Sequence, residues 1–167
     1  NKNNVLTDFL RTGTYDARRT FYKTTSPSMD ILISSNLERL LYHVSGSSEK
    51  VAGWMQELSA TGKYTVDAET LAKIQQSFAA GYADDADGAA EIKARFDGDH
   101  YLCDTHTAVA FRVAETRRTD APMVVLSTAS PFKFPRDVLT ALGEEAPASD
   151  FAAMAALTAG TGAEAPA

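Results

Sequence analysis

Apolar residues recur along much of this chain with the 3.6-residue period of helices. Val5, Leu6, Phe9 and Leu10 make one stripe ahead of Gly13, which predicts a short helix over 5–12 stopped by a left-handed glycine. Leu37, Leu40, Leu41 and Val44 fall at i, i+3, i+4 and i+7, and Ser35 with Glu38 reads as an S-x-x-E capping box at the start of that helix. Val51, Trp54, Met55 and Leu58 repeat the spacing before Gly62, and Leu71, Ile74 and Phe78 repeat most of it between Asp67 and Gly81. A further helix opens with Pro135 at its first position, turns Val138, Leu139 and Leu142 inward, and stops at Gly143. All of these stripes read as core faces. Three segments break the helical period, 20–24, 29–33 and 123–127, and their short apolar runs bounded by Pro and polar clusters predict buried strands. The last of them, its Ser127-Thr128-Ala129-Ser130-Pro131 loop and the following helix make an α/β unit, in which ligands sit at the carboxyl ends of strands. From Glu144 the composition turns to Ala, Pro, Gly and acid, which predicts a solvated tail over 144–167 or one loose helix around 151–157.

Length and charge narrow the class. A chain of 167 residues is about one domain by the usual domain size. Lys plus Arg is 16 and Asp plus Glu is 22, a net charge of −6, so nothing favours nucleic acid or an anionic membrane as a partner. No apolar run approaches the ~20 residues of a membrane span. A lone cysteine, Cys103, cannot form an internal disulfide, which fits a reducing compartment and predicts a cytoplasmic location. The start, Asn1-Lys2-Asn3-Asn4, has neither Met nor a signal-peptide pattern, and both ends read as cut, as in a piece of a longer chain.

Two constellations resemble metal sites and neither completes one. His100, Cys103 and His106 have an H-x-x-C-x-x-H spacing with Asp99 and Asp104 alongside, but the second group of ligands that zinc sites draw on is missing. The competing reading is a buried Cys103 entering a helix, with Asp104 or Thr105 as N-cap for the 108–114 run. A Cys103–His nucleophilic dyad is chemically conceivable, yet spacing alone cannot place the base. The acidic stretch 84–88 fails as a calcium loop because Ala83 and Ala94 fall on ligand positions; it reads instead as an exposed loop that caps the next helix. What remains are two hydroxyl-rich loops, Ser26-Pro27-Ser28-Met29-Asp30 and Ser127-Thr128-Ala129-Ser130. Such loops can hydrogen-bond a heteroaromatic or phosphorylated ligand, or simply serve the backbone as turns and caps. On the residues alone, a noncatalytic α/β ligand-binding or interaction domain stands as an alternative, with a zinc-dependent hydrolase behind it.

At these loops the wording resembles a known family. Asn3-Asn4-Val5-Leu6-Thr7-Asp8-Phe9, Arg11-Thr12-Gly13-Thr14-Tyr15 and the run from Ser26 to Leu40 are similar to threonine synthase. Asp104-Thr105-His106-Thr107-Ala108-Val109-Ala110 looks like that family's D-P-H-T-A-V-A, with Thr105 in place of Pro. Thr128-Ala129-Ser130-Pro131-Phe132-Lys133-Phe134 looks like its T-A-H-P-x-K-F, with Ser130 in place of His. The resemblance covers 1–143 and implies the helix-rich C-terminal portion of a tryptophan-synthase-β-like α/β fold, with a small parallel sheet flanked by helices. It implies a pyridoxal 5′-phosphate enzyme converting O-phosphohomoserine and water to L-threonine and phosphate. By the same resemblance the Schiff-base lysine and the Gly-rich phosphate loop lie outside this segment, in the N-terminal part of the same chain; Lys133 is not that lysine. The segment by itself is then expected to be inactive and not to hold the cofactor. Thr128 matches the position whose hydroxyl meets the cofactor's pyridine nitrogen, while Ser26, Ser28, Asp30, Asp104, His106, Thr107 and Ser127 are expected to line the pocket; no metal is implied.

Overall fold

Whichever way the helical stripes are partnered, their apolar faces must be buried against one another, and two separate cores do this. The computed structural model describes residues 1–166, and the chain divides into two compact units that interleave in sequence. One unit holds Asn3–Lys23 and Asp30–Tyr82; the other holds Asn1–Lys2, Thr24–Met29 and the chain from Ala83 onward.

The first unit contains α1 (Val5–Thr12), β1 (Thr14–Asp16), α2 (Leu37–Ser45), α3 (Ser48–Thr61), β2 (Lys63–Thr65) and α4 (Ala68–Ser77). Val5, Phe9, Tyr15, Leu41, Trp54, Tyr64 and Ile74 form its core, which confirms the stripes read from α1, α2, α3 and most of α4. Tyr15 and Tyr64 are opposite each other in the β1–β2 register, and their rings stack at 5.3 Å with Phe9 tilted against both. Gly13 ends α1 at φ 76°, as its position in the sequence predicts; a Cβ there would also stand 3.1 Å from Leu71.

The second unit contains α5 (Asp85–Asp99), α6 (Thr105–Glu115), α7 (Pro135–Leu142) and α8 (Asp150–Thr161). Ile92, Cys103, Ala108, Phe132, Val138, Leu139, Ala153 and Leu157 are buried together. Arg95 ties the polar side of α5 to α6. Its guanidinium donates to Glu91 (2.7 Å), Asp99 (2.9 Å) and Glu115 (2.7 Å) and lies over the Phe111 ring. Within 144–167, α8 packs on α7 through Ala153 and Leu157.

Several expectations are corrected. The sheet is antiparallel, not parallel: it pairs β1 with β2, and the segments 20–24, 29–33 and 123–127 are not strands. Phe21, Tyr22, Ile31, Ile33, Met123, Val124 and Leu126 within them are exposed rather than buried. A strand needs a neighbour to satisfy its amides and carbonyls, and β-prone composition without one stays irregular. The capping box at Ser35 does not form, because α2 begins one residue later with Asn36 as N-cap and no side-chain cap bond. Phe78 is no core residue: α4 stops at Ser77 and Phe78 leaves in extended backbone, 47% exposed. The acidic stretch at 84–88 does cap the next helix, as expected, but from Asp85 onward it is the first turn of α5 rather than a loop. Asp84 and Asp87 cap one another's backbone there in a reciprocal box.

Candidate functional site

The second unit brings most of the hydroxyl-rich residues onto one hydrogen-bonded frame, and its centre is Asp104. Extended backbone at Asp104 makes it the N-cap of α6, and its side chain is fully buried. One carboxylate oxygen, Oδ1, accepts from the Thr107 amide (3.1 Å) and the Thr107 hydroxyl. The other, Oδ2, accepts from the His106 amide (2.9 Å) and from His106 Nδ1 (2.8 Å). The far nitrogen of His106, Nε2, lies 3.0 Å from the Ser28 backbone nitrogen. A backbone N–H can only donate, so Nε2 is the acceptor and the ring proton sits on Nδ1, facing Asp104. The Thr107 hydroxyl oxygen in turn accepts from the Thr128 amide at 3.4 Å. A continuous path therefore runs from Ser28 through His106, Asp104 and Thr107 to Thr128.

Around this path the turn that carries Ser26 is closed. Met29 N–H donates to the Ser26 carbonyl (3.0 Å), and the buried Asn1 amide donates to the Ser26 carbonyl (3.1 Å) and hydroxyl (3.0 Å). Phe134 packs its ring 4.8 Å from that of His106. By contrast Ser28, Ser127 and Thr128 are exposed, and among the described residues their hydroxyls make no hydrogen bond. The frame fixes the backbone at Ser28 and Thr128 and leaves these side chains open to a ligand.

Ser28, Asp104, His106, Thr107 and Thr128 thus share one network, with Ser26 in the same turn as Ser28 and Ser127 next to Thr128 in the chain. Asp30 belongs to the other unit, where it accepts from Asn3 Nδ2 at 2.9 Å. The H-x-x-C-x-x-H residues do not converge: His100 is an exposed left-handed C-cap at φ 53°, whereas His106 commits both ring nitrogens as described. Among the described residues no three His, Cys, Asp or Glu side chains are grouped to hold a metal ion. Burial and the adjacent Asp104 charge push the Cys103 thiol up to about 12, which removes the thiolate a nucleophile needs. Lys133 is exposed, its ammonium over the Phe134 ring at 5.4 Å. Sequence reasoning missed Asn1, which resembles a frayed terminus and whose pairing with Ser26 across 25 residues leaves no local signal.

Comparison with known proteins gives the chain's relatives. The family described as threonine synthase, C-terminal, matches residues 107–160. Threonine synthase of Pseudomonas aeruginosa is 37% identical over 151 residues, which cover 89% of this chain and 32% of that protein. Human threonine synthase-like 1 is 36% identical over 145 residues, 85% of this chain and 20% of the relative. The crystal structure of pyridoxal-phosphate-bound threonine synthase from Brucella melitensis superimposes with a TM-score of 0.82 at 41% identity, covering 92% of this chain and 34% of that one. The chain therefore spans a third or less of the length of the curated relatives described here. Among the described residues no helix is long and apolar enough to cross a membrane.

Proposed function

We infer that this chain, a C-terminal segment of the threonine synthase type, supplies one wall of the active site of a pyridoxal-phosphate enzyme that converts O-phosphohomoserine and water to L-threonine and phosphate. The observation that carries this is the state of Thr128: its backbone N–H is held by Thr107 while its hydroxyl is exposed and unbonded among the described residues. A fixed backbone with a free neutral hydroxyl is a fitting hydrogen-bond partner for the ring nitrogen of pyridoxal phosphate, which Thr128 would hold. The cofactor, when bound, supplies the electron sink for elimination and replacement on the amino-acid substrate. Thr128 would offer that nitrogen a hydrogen bond from a neutral hydroxyl, without the full negative charge of a carboxylate. Ser28 and Ser127 present further donors from the same frame to polar groups of the ligand. Asp104 and His106 are spent on internal contacts and do not reach it. On this reading the lysine that would form the Schiff base belongs to the remainder of the full-length protein, and Lys133, with its ammonium over the Phe134 ring, is not assigned that role.

The test is Thr128→Ala in the full-length enzyme. Turnover is expected to fall about tenfold or more, since loss of one hydrogen bond to a reacting group is worth about 1–2 kcal/mol of barrier, while Tm stays within a few degrees. Wild-type turnover in this variant would remove Thr128 from the site.

A further inference from the structure

We propose that His106 and Thr107 are positioning residues, two arms of a clamp on Asp104 that set the backbone of Ser28 and Thr128 before any ligand arrives. An N-cap needs one carboxylate oxygen to accept from the amides of the first turn. Asp104 does more. Each oxygen takes one amide and one side-chain donor, and both side chains pass the contact on to a distant loop, across 78 residues from His106 to Ser28 and 21 from Thr107 to Thr128. Asp104 is fully buried, His106 is 7% exposed and Thr107 is 1% exposed. Solvent therefore cannot replace a lost arm, and a buried carboxylate without its donors is costly. The tautomer matters as well. With its ring proton held toward Asp104, His106 keeps Nε2 as an acceptor, and only that form can receive the Ser28 amide. Phe134 closes the ring from the side at 4.8 Å. The arms are separable, because each loop hangs from a different residue.

The effect on the reaction rests on the reading that Thr128 meets the cofactor; the effect on the loops does not. Both are measured in the full-length protein, by hydrogen exchange at the Ser28 and Thr128 amides and by steady-state kinetics. Thr107→Val keeps the shape of the side chain and deletes the hydroxyl. It is expected to accelerate exchange at Thr128 about tenfold, leave Ser28 unchanged, and lower kcat with little change in KM. Thr107→Ser is expected to restore both. His106→Phe keeps a ring and deletes the nitrogens, and is expected to accelerate exchange at Ser28 alone. Unchanged exchange at both amides in Thr107→Val and His106→Phe would overturn the clamp. Faster exchange at Thr128 with kcat at the wild-type level would support the clamp on the loop and overturn its part in the reaction; wild-type turnover in Thr128→Ala would then locate the fault in the cofactor reading.

Discussion

Cys103 and Asp104 are neighbours and both buried, but they sit in different surroundings. Asp104 has four donors on its two oxygens, whereas Cys103 faces Ile92, Ala108 and other apolar side chains of its core. The thiol, pushed up to about 12, is expected to react slowly with alkylating reagents in the folded protein and rapidly after denaturation; fast native labelling at neutral pH would contradict this. A pKa raised by folding means that the folded state holds the proton longer. The associated stability is present below the ordinary thiol value of 9.0 and is lost as pH rises toward 12, so the difference in unfolding free energy between wild type and Cys103→Ala should shrink over that window. At this scale the residue types of the site were legible: Asp before a helix and hydroxyls in loops are what caps and polar pockets require. Which hydroxyls are spent inward and which stay open was not. Thr107 and Thr128 are chemically alike, and only a pairing across 21 residues sorts them.

Helix ends were easier to read than strands, for a physical reason. Gly13, Gly62 and Gly143 each end a helix at positive φ, and the signal for that is the residue itself. Asp67 is the N-cap of α4, accepting from the Thr70 amide (2.9 Å) and hydroxyl (3.0 Å) and from Lys50 (3.1 Å). The Thr70 amide, with Lys50 and the Thr70 hydroxyl, holds its carboxyl down at about 2. Asp67→Ala is expected to cost about 1 kcal/mol near neutral pH by denaturant unfolding. Because the folded pKa lies below the ordinary 3.8, that contribution is full above it and disappears as pH falls toward 2; a variant penalty unchanged in acid would contradict the assignment. The segments 20–24, 29–33 and 123–127 misled because a strand is a property of a pair. Their composition suits a sheet, and nothing among the described residues supplies the neighbour.

For the molecule as a whole, those segments have a practical consequence. Val124 is 79% exposed and Leu126 74%, close to exposed Met123 in backbone outside any helix or strand. Exposed apolar strand-like edges pair with copies of themselves, so the 167-residue chain alone is expected to associate with rising concentration despite its net charge of −6. Sedimentation velocity checks this: a joint Val124→Lys and Leu126→Lys variant should shift the chain toward monomer, and a wild type that stays monomeric throughout would refute the expectation. The same segments explain why the fold class was legible only in part. The core of the first unit and the α7 face of the second follow from periodicity within the chain, while most of the second core, from α5, α6 and α8, carries no stripe read in the sequence.

The interleaving of the two units sets an order of assembly during synthesis. All of the unit built on Asn3–Lys23 and Asp30–Tyr82 has left the ribosome once Tyr82 has, and its β1–β2 pairing and Tyr15–Tyr64 stack can form at once. The turn at Thr24–Met29 cannot, because the imidazole that receives the Ser28 amide is made 78 residues later. During that interval the turn is tethered on both sides to a finished unit, which shortens its search for α6 compared with a free loop of the same length. The turn that carries Ser28 therefore acquires its shape later than the unit that flanks it in sequence.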